Sequence, residues 1–401
     1  MATQISNGGA VPHASGHEDL LARLVRFLTG VDYPTFSGSG GVRLRYVRAK
    51  ATAVNETWTI VCTNVGTGTF SVTGSVSGAQ AAATVGTPYD NGKIAFTLTN
   101  VTSAPVLSDT ITVVTTTGSL VAAGQSWDLI KNAVPVVDEV HVFLRGRGNA
   151  GTDQIFAGLR AYKSVASDWY NLQLRGATGY VETASDIANM PNASGYTDVC
   201  LLNGSMPYWF IANARRFTFV AKVSTVYESA YIGFLLPTGT PSEYPYPLAI
   251  GGSHAQASRR FSDNLGAGIY GTRHRAFFNP GGTTSASPQS SLHVREKGGT
   301  WVAIVNRTYS SGENTDTTNN VSPTVDSRIY RNIDGSYTLY PLTVHISSPS
   351  NNVLGDFEGV FMVSGISNPS ENLVQVGGVD HLVVQNTFRT DPWEYAAFRL
   401  E

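Results

Sequence analysis

The chain has 401 residues, of which 42% are hydrophobic and only 14% are charged. Its 27 Lys and Arg residues nearly cancel its 29 Asp and Glu residues, and the net charge of −2 excludes a global field that would attract nucleic acid or anionic lipid. The two cysteines, Cys62 and Cys200, are too few for a disulfide scaffold and indicate a protein made in a reducing compartment.

The N-terminal thirty residues predict an arm followed by one helix. Residues 1–14 are rich in Gly, Ser and Asn without periodicity, which predicts a flexible arm, and they lack the basic and apolar regions of a classical export signal. Over 15–30 the apolar residues cover one broad face, Ser15 and Glu18 have capping-box spacing, and Gly30 stands where a C-cap belongs. We expect this helix to dock on a sheet or on a neighbouring subunit.

Residues 49–118 have the sequence pattern of a small β module. Short segments with period-2 alternation are separated by Gly, Asn-Gly and Ser/Asp turns, and they carry almost no charge. This pattern predicts an Ig-like β-sandwich of near-minimal size. Segments 42–48 and 126–132 are both strand-like and would join if the module were removed, so we expect it to be inserted into a larger domain.

Residues 15–48 and 119–401 predict one main β domain that carries the N-terminal helix. After residue 119 the chain has many strand patterns and no helical pattern longer than two turns, which argues against a parallel α/β architecture. The fold class expected is mainly β: a large antiparallel β-sandwich or jelly-roll-like domain. The polar stretches 255–276, 279–289 and 309–323 indicate interface or binding loops.

The sequence matches the motifs of neither of two kinds of hydrolase. Ser253 and His254 follow two glycines, but they lack the G-x-S-x-G elbow, and adjacent side chains in an extended segment point apart. A glycosidase or polysaccharide depolymerase needs two facing carboxylates. The carboxylates considered for that role form no telling motif, and they are Glu228, Glu243, Asp263, Asp316 and Asp326. No catalytic residue is therefore predicted.

Cofactor and metal sites are not predicted either. The eight histidines are scattered, and only His141 and His345 lie in strand patterns, where a structural histidine is the expected interpretation. Gly146, Gly148 and Gly151 match G-x-G-x-x-G, but a strand pattern follows where a dinucleotide site would need a helix. The three glycines therefore predict a β turn.

Two features predict contacts with neighbouring subunits. Residues 237–247 contain four prolines, which predict a stiff extended loop with Tyr244 and Tyr246 as anchors. The chain also has a local basic stretch, for which a cross-subunit salt-bridge cluster is the leading interpretation and nucleic acid or lipopolysaccharide phosphates are alternatives. Its arginines are Arg259, Arg260, Arg273 and Arg275.

Two long segments resemble virion structural proteins of tailed bacteriophages that are associated with the tail or baseplate. These are "GRGNAGTDQIFAGLRAYKSVASDWYNLQLRGATGY" (146–180) and "PYWFIANARRFTFVAKVSTVYESAYIGFLLPTGTPSEYPYPLAIGGS" (207–253), with most of the match in 139–253. The C-terminal "DPWEYAAFRLE" is similar to chain ends of that group, and 71–100 is similar to Ig-like modules of phage tail proteins.

The resemblance implies a virion component assembled in the host bacterial cytoplasm, and it implies no activity. The leading expectation is a non-enzymatic structural subunit of tail, baseplate or collar. Its partners would be copies of itself and other virion proteins, without nucleic acid or membrane insertion. The alternative is a receptor-binding protein for a host glycan, and a depolymerase comes third. The aromatic residues considered for sugar stacking are Tyr208, Trp209, Tyr244, Tyr246, Tyr309, Tyr330 and Trp393.

Overall fold

A computed structural model of the chain confirms that the fold is mainly β. It describes residues 3–4, 13–148, 150–153, 155–240, 248–263, 274–280, 290–304, 320–322, 330–346, 352–387, 391–392 and 394–400. Its helical segments are α1 (His17–Thr29), α2 (Ser119–Ala122) and one 3-10 turn (Ile187–Asn189). Within the described residues no helix is long and apolar enough to cross a membrane.

The strands of the first half are β1 Thr3–Gln4, β2 His13–Ala14, β3 Thr35–Ser37, β4 Val42–Ala49, β5 Glu56–Asn64, β6 Thr69–Gly74, β7 Gly78–Thr84, β8 Pro88–Asp90, β9 Ile94–Asn100, β10 Thr110–Thr115, β11 Asp128–Ala133, β12 Glu139–Gly146, β13 Ile155–Ser164 and β14 Trp169–Ala177. Those of the second half are β15 Thr197–Leu201, β16 Met206–Ala212, β17 Arg216–Val223, β18 Val226–Pro237, β19 Leu248–Gly251, β20 Leu292–Arg295, β21 Trp301–Ala303, β22 Asn320–Ser322, β23 Tyr340–Ile346, β24 Asn352–Met362, β25 Leu373–Val376, β26 Val379–Gln385 and β27 Tyr395–Arg399.

These strands pair antiparallel in three sheets. An eight-stranded sheet has the order β15-β14-β13-β12-β11-β4-β9-β8, and a five-stranded sheet has the order β3-β10-β5-β6-β7. A fourteen-stranded sheet is built on the path β1-β16-β17-β18-β24-β27-β26-β25, from which the remaining strands branch. The two large sheets pack together where β13, β14 and β15 contact β18 and β19. This face-to-face packing gives a sandwich-like arrangement.

Helix α1 lies between the two large sheets. It contacts β13 and β14 on one side and β16 on the other, and its Phe27 ring lies 5.6 Å from the Phe210 ring. The predicted apolar face is buried throughout, and it consists of Leu20, Leu21, Leu24, Val25, Phe27 and Leu28. The helix is thus docked within its own chain, because its apolar face fills the space between the sheets.

The start of α1 differs in one detail from the predicted capping box. Gly16 is the N-cap, and Asp19 rather than Glu18 reaches back to Ser15. The Oδ2 atom of Asp19 accepts hydrogen bonds from the backbone N–H of Ser15 at 2.8 Å and from its hydroxyl at 3.1 Å. Glu18 instead accepts a hydrogen bond from Lys163 Nζ at 2.8 Å. The start of the helix was therefore predicted one residue too early.

The segment predicted as an inserted module shares its sheets with the rest of the chain. Strand β9 pairs with β4, most of which precedes residue 49, and β10 pairs with β3. Strand β4 also pairs with β11 at Val47 and Leu129, so the eight-stranded sheet runs without interruption from the main domain into the small sandwich. Backbone pairing therefore crosses the predicted boundary at residue 49.

Two other predictions about local structure can be compared with the described residues. In the predicted arm, β1 and β2 both pair with β16, so the arm is held at these places by the chain itself. The G-x-G-x-x-G segment joins β12 to β13 as a turn, and Gly148 adopts a φ of 63° there. No helix follows this turn, because β13 begins at Ile155.

Candidate functional site

The described residues of the stretch 219–255 include most of β17 and all of β18 and β19, which lie in the fourteen-stranded sheet. Strand β17 pairs with β18 along its whole length, and β18 pairs on its other edge with β19 and then β24. Residues of β18 from Val226 to Tyr231 are all buried, and one of them is the carboxylate Glu228, with 0% of its surface exposed. Burial of an ionised carboxylate requires compensating partners.

Glu228 is the centre of a buried polar cluster that links the two large sheets. We call it the Glu228 cluster; its members are Tyr162, Asp198, Glu228, Ser253, His254 and His274. One carboxylate oxygen of Glu228 accepts a hydrogen bond from the Ser253 hydroxyl. The other oxygen lies 2.7 Å from Nε2 of His274. Both carboxylate oxygens therefore have a partner.

Backbone bridges around His254 hold the cluster together. The backbone N–H of His254 donates to the carbonyl of Asp198 at 2.8 Å, and the Asp198 N–H donates to the His254 carbonyl at 3.0 Å. A second bridge joins His254 to His274, whose rings lie 4.8 Å apart. Since Asp198 belongs to β15 and His254 follows β19, the bridges connect the eight-stranded and fourteen-stranded sheets.

Burial changes the protonation chemistry of the Asp198 side chain. Loss of solvation raises the pKa of Asp198 to about 7, against the opposing effect of hydrogen bonds from Tyr162 and Gln173. The Tyr162 hydroxyl donates to Asp198 Oδ1 at 2.6 Å, and burial together with this carboxylate raises the pKa of Tyr162. Asp198 is thus a carboxyl group that carries a proton for part of the time near neutral pH.

The order of groups in the Glu228 cluster does not match that of a serine hydrolase. In such an enzyme a histidine lies between the serine and the acid, whereas here the carboxylate of Glu228 lies between Ser253 and His274. Ser253 and Glu228 are fully buried. The geometry supports a cross-link between strands, since a substrate would have to reach atoms with no exposed surface.

The other carboxylates and histidines named from the sequence are described only in part. Asp263 Oδ2 accepts a hydrogen bond from the Arg260 backbone, and Glu243, Asp316 and Asp326 lie outside the described residues. His141 is buried with Nε2 3.0 Å from Glu139 Oε2. Among the residues that the structure describes, no three His, Cys, Asp or Glu side chains are grouped so that they could hold a metal ion.

The described arginines of the predicted basic cluster have different environments. Arg260 is exposed and donates from Nε to the Ser167 carbonyl at 3.1 Å, and Arg259 is half-buried. Arg275 is buried and forms an ion pair within its own chain with Glu394, and the predicted contact with a neighbouring subunit stays a prediction. Arg273, Tyr244 and Tyr246 lie outside the described residues.

Arg275 belongs to a second buried polar cluster. The Glu394 carboxylate accepts hydrogen bonds from Arg275, from Asn279 and, at 2.6 Å, from Asn386. The Asn386 side chain also accepts from the Ala276 backbone N–H at 2.7 Å. Burial of Glu394 requires a cation and several donors, and the chain supplies them itself.

The aromatic residues considered for sugar stacking have unequal access to solvent. Tyr208 and Trp209 are buried in β16, each with 7% of its surface exposed, so they are not available for stacking on a ligand. Tyr330 is exposed, and Tyr309 and Trp393 lie outside the described residues.

An exposed group of valines was not singled out from the sequence. We call Val134, Val136, Val137 and Val165 the valine patch, in which the exposed fractions run from 53% to 86%. The V-P-V-V run at 134–137 was a usable signal, since consecutive apolar residues outside a strand are seldom left exposed without a role.

Comparison with known proteins identifies no relative. No protein-family model matches the chain, and no curated protein matches it.

Proposed function

We propose that the chain is a non-enzymatic structural subunit of a tailed-bacteriophage virion, in the tail, baseplate or collar. It contacts copies of itself and other virion proteins. The resemblance over 139–253 supports the proposal, and so does the small share of charged residues, which suits surfaces that other subunits cover. Residence in the virion, after assembly in the host cytoplasm, is part of the same proposal.

The valine patch is the observation that carries the proposal. Glu139 lies opposite Tyr162 in the pairing of β12 and β13, so the loop before β12 and the turn after β13 lie at the same end of the sheet. An ion pair of 3.4 Å between Lys163 and Asp138 supports this placement. Arg260, one of the predicted interface residues, borders the patch through its bond to Ser167. Clustered exposed apolar side chains mark interaction surfaces.

The Glu228 cluster favours this role over a hydrolase. Ser253 donates to a carboxylate rather than to a histidine, and the cluster joins two sheets through backbone bridges. A subunit that transmits load between neighbours benefits from such cross-links, because breaking one exposes an unsatisfied buried group.

Replacement of Val137 by aspartate tests the proposal. Wild-type protein is expected to form oligomers, and Val137→Asp is expected to shift them to smaller species, because the interface would then bury an unpaired charge. Molar mass by light scattering during size-exclusion chromatography measures the shift. The matched control is Val76→Asp, at a valine with 70% exposure in the small sandwich, which should leave the mass unchanged.

Labelling of particles separates the outcomes. Antibodies against the chain should bind intact phage particles along the tail or baseplate in electron micrographs. A monomeric wild-type protein together with unlabelled particles would overturn the proposal. Equal effects of Val137→Asp and Val76→Asp would remove the valine patch as its basis.

A further inference from the structure

A cavity of about 320 Å³ lies where the small sandwich meets the eight-stranded sheet. Its walls come from β3 and β10 of the five-stranded sheet and from β4 and β11 of the eight-stranded sheet. The lining side chains that matter here are Phe36, Arg43, Leu44, Arg45, Ile111 and Lys131. A volume of this size lies within the range of small-molecule sites.

Three cations line the cavity, and only one of them is paired with a carboxylate. Arg45 binds Glu182 in a two-pronged contact, with Nε 2.8 Å from Oε2. Lys131 Nζ instead donates to the neutral carbonyls of Glu182 and Ala184, at 3.2 and 2.7 Å. Within the part of the chain that the structure describes, Lys131 forms no ion pair. The Glu182 carboxylate acts on Lys131 from a distance, but it is bound by Arg45 and makes no direct contact with Nζ.

Arg43 lies on the same wall of the cavity, on β4, which is the neighbour of the Lys131 strand β11. Its Nη1 donates to the carbonyls of Gly40 and Val42, at 3.1 and 2.8 Å, and no ion pair of Arg43 is formed with the described residues. Asp109 also acts on the charge of Arg43, but its oxygens accept hydrogen bonds from backbone N–H groups, including that of Gly40 at 3.1 Å. The cavity therefore keeps an excess of positive charge.

The electrostatics of Arg43 and Lys131 favour the binding of an anion. Burial and the charge of Arg45 lower the pKa of Arg43, against the opposing effect of Asp109. Burial lowers the pKa of Lys131 as well, and this effect exceeds the opposing effect of Glu182. Charged groups that lose solvation and repel each other are stabilised by an anion placed between them.

The apolar lining of the cavity indicates that the ligand also has an apolar face. The guanidinium carbon of Arg43 lies 3.7 Å from the centroid of the Phe36 ring, so stacking holds the cation in place before any ligand binds. Phe36 is half-buried, and Val101, with 36% of its surface exposed, adds accessible apolar surface to the lining. A bare inorganic anion would leave this surface unused.

We propose that the cavity binds a carboxylate-bearing ligand of monosaccharide size, such as a uronic acid, free or as a unit of a polysaccharide. Arg43 and Lys131 bind the carboxylate, and the C–H face of the ring packs against the apolar wall. The proposal does not depend on the proposed structural role, because binding by the purified chain can be measured without assembly.

Ligand titrations followed by calorimetry and saturation-transfer NMR test the proposal. Glucuronate should bind wild-type protein, and glucose, its neutral match, should not. Arg43→Gln should weaken glucuronate binding about tenfold or more, as expected for loss of a hydrogen bond between charged groups. Arg23→Gln, on the exposed face of α1, is the matched control and should bind like wild type.

A second variant guards against misfolding of Arg43→Gln. Thr35 is exposed and lines the cavity, so Thr35→Trp should fill the opening and abolish binding while leaving every cation in place. Thermal melts establish that each variant is folded. Binding of an oligoglucuronide as well as the free acid would identify the polysaccharide source.

Several results would overturn the inference. Equal binding of glucuronate and glucose, or no binding of either, would exclude an acidic-sugar site. Unchanged binding in both Arg43→Gln and Thr35→Trp would place the ligand elsewhere. Phosphate or acetate binding as tightly as glucuronate would show a bare anion site, and binding of only a glutamate-rich peptide would assign the cavity to a protein neighbour.

Discussion

Two buried carboxylates in this protein are balanced by arginines that lie far away in the sequence. Glu394 is held by Arg275, Asn279 and Asn386, and Asp128 accepts a hydrogen bond from Arg48 at 2.7 Å. The cost of removing such carboxylates from water is offset only if the donors are well placed. Loss of one donor should therefore cost more than the net contribution of the intact pair.

Replacement of Arg275 by methionine tests this at the Glu394 cluster. The variant should lower the free energy of unfolding by about 3 kcal/mol or more, because it leaves a buried carboxylate without its cation. The double variant Arg275→Met/Glu394→Gln should recover part of this loss. Urea unfolding followed by tryptophan fluorescence measures both.

Arg260→Met is the control for the loss of a positive charge. Because Arg260 is exposed, its replacement should change the free energy of unfolding by less than about 0.5 kcal/mol. If Arg275→Met were as stable as Arg260→Met, the Glu394 cluster would not be a stabilising feature of the fold.

The predicted arginine cluster shows that the ion-pair partners of single residues cannot be read from the local sequence. Arg259, Arg260 and Arg275 are close in the sequence, and proximity in sequence favoured a single basic surface. The partner of Arg275 is 119 residues away, and nothing within its own segment identifies Glu394. Ion pairs of this kind depend on the packing of whole sheets, so they could not be predicted from local pattern.

Among the elements, α1 depends on the residue that ends it. Gly30 adopts a left-handed conformation, with φ of 69°, and its N–H donates to the Arg26 carbonyl at 2.8 Å. A Cβ at this position would lie 2.5 Å from Val121 Cγ2 and 2.6 Å from Ala49 Cβ. The glycine thus serves both the cap and the close approach of α1 to its neighbours.

Comparison of two Gly→Ala variants separates these two roles. Gly124 has nearly the same φ, 70°, and an added Cβ there would meet nothing within 4 Å. Gly124→Ala should cost about 1 kcal/mol for the left-handed backbone alone, and Gly30→Ala about 2–4 kcal/mol because overpacking adds to it. Thermal and urea unfolding compare them, and equal losses would show that the contacts with Val121 and Ala49 do not matter.

The sequence predicted α1 and the strands, but it did not show which strands pair in the same sheet. A helix and its apolar face are encoded by neighbours within four residues, and alternation marks a strand in the same local way. The pairing of β9 with β4, by contrast, joins residues about fifty positions apart, such as Leu44 and Leu98. Local alternation cannot specify such a register, so the sharing of β4 between the two sandwiches was not foreseen. The Glu228 cluster was missed for the same reason.

Over the whole molecule, buried titratable groups act on stability in opposite directions as pH changes. Burial lowers the pKa of His17 and of His293 to about 4, from 6.5. Burial raises the pKa of Asp198 to about 7, from 3.8. Burial also lowers the pKa of His345 and His381. Burial therefore favours the neutral form of these histidines in the folded state, and it favours the protonated form of Asp198 below about pH 7.

The histidines should dominate the pH dependence of stability between pH 4.5 and 6.5. In this window the unfolded chain binds protons at His17 and His293 that the folded chain does not, and each contributes a loss of up to about 1.4 kcal/mol per pH unit as pH falls. Asp198 contributes a slope of the opposite sign, because the folded chain holds the extra proton and loses stability as pH rises toward 7.

The melting temperature of the wild type should therefore fall on acidification. His293→Gln should make this fall less steep and Asp198→Asn should make it steeper, in calorimetric scans at one fixed rate. A wild-type melting temperature that rises toward pH 4.5, or a steeper fall in His293→Gln, would contradict the assignment of His293 as a buried neutral histidine.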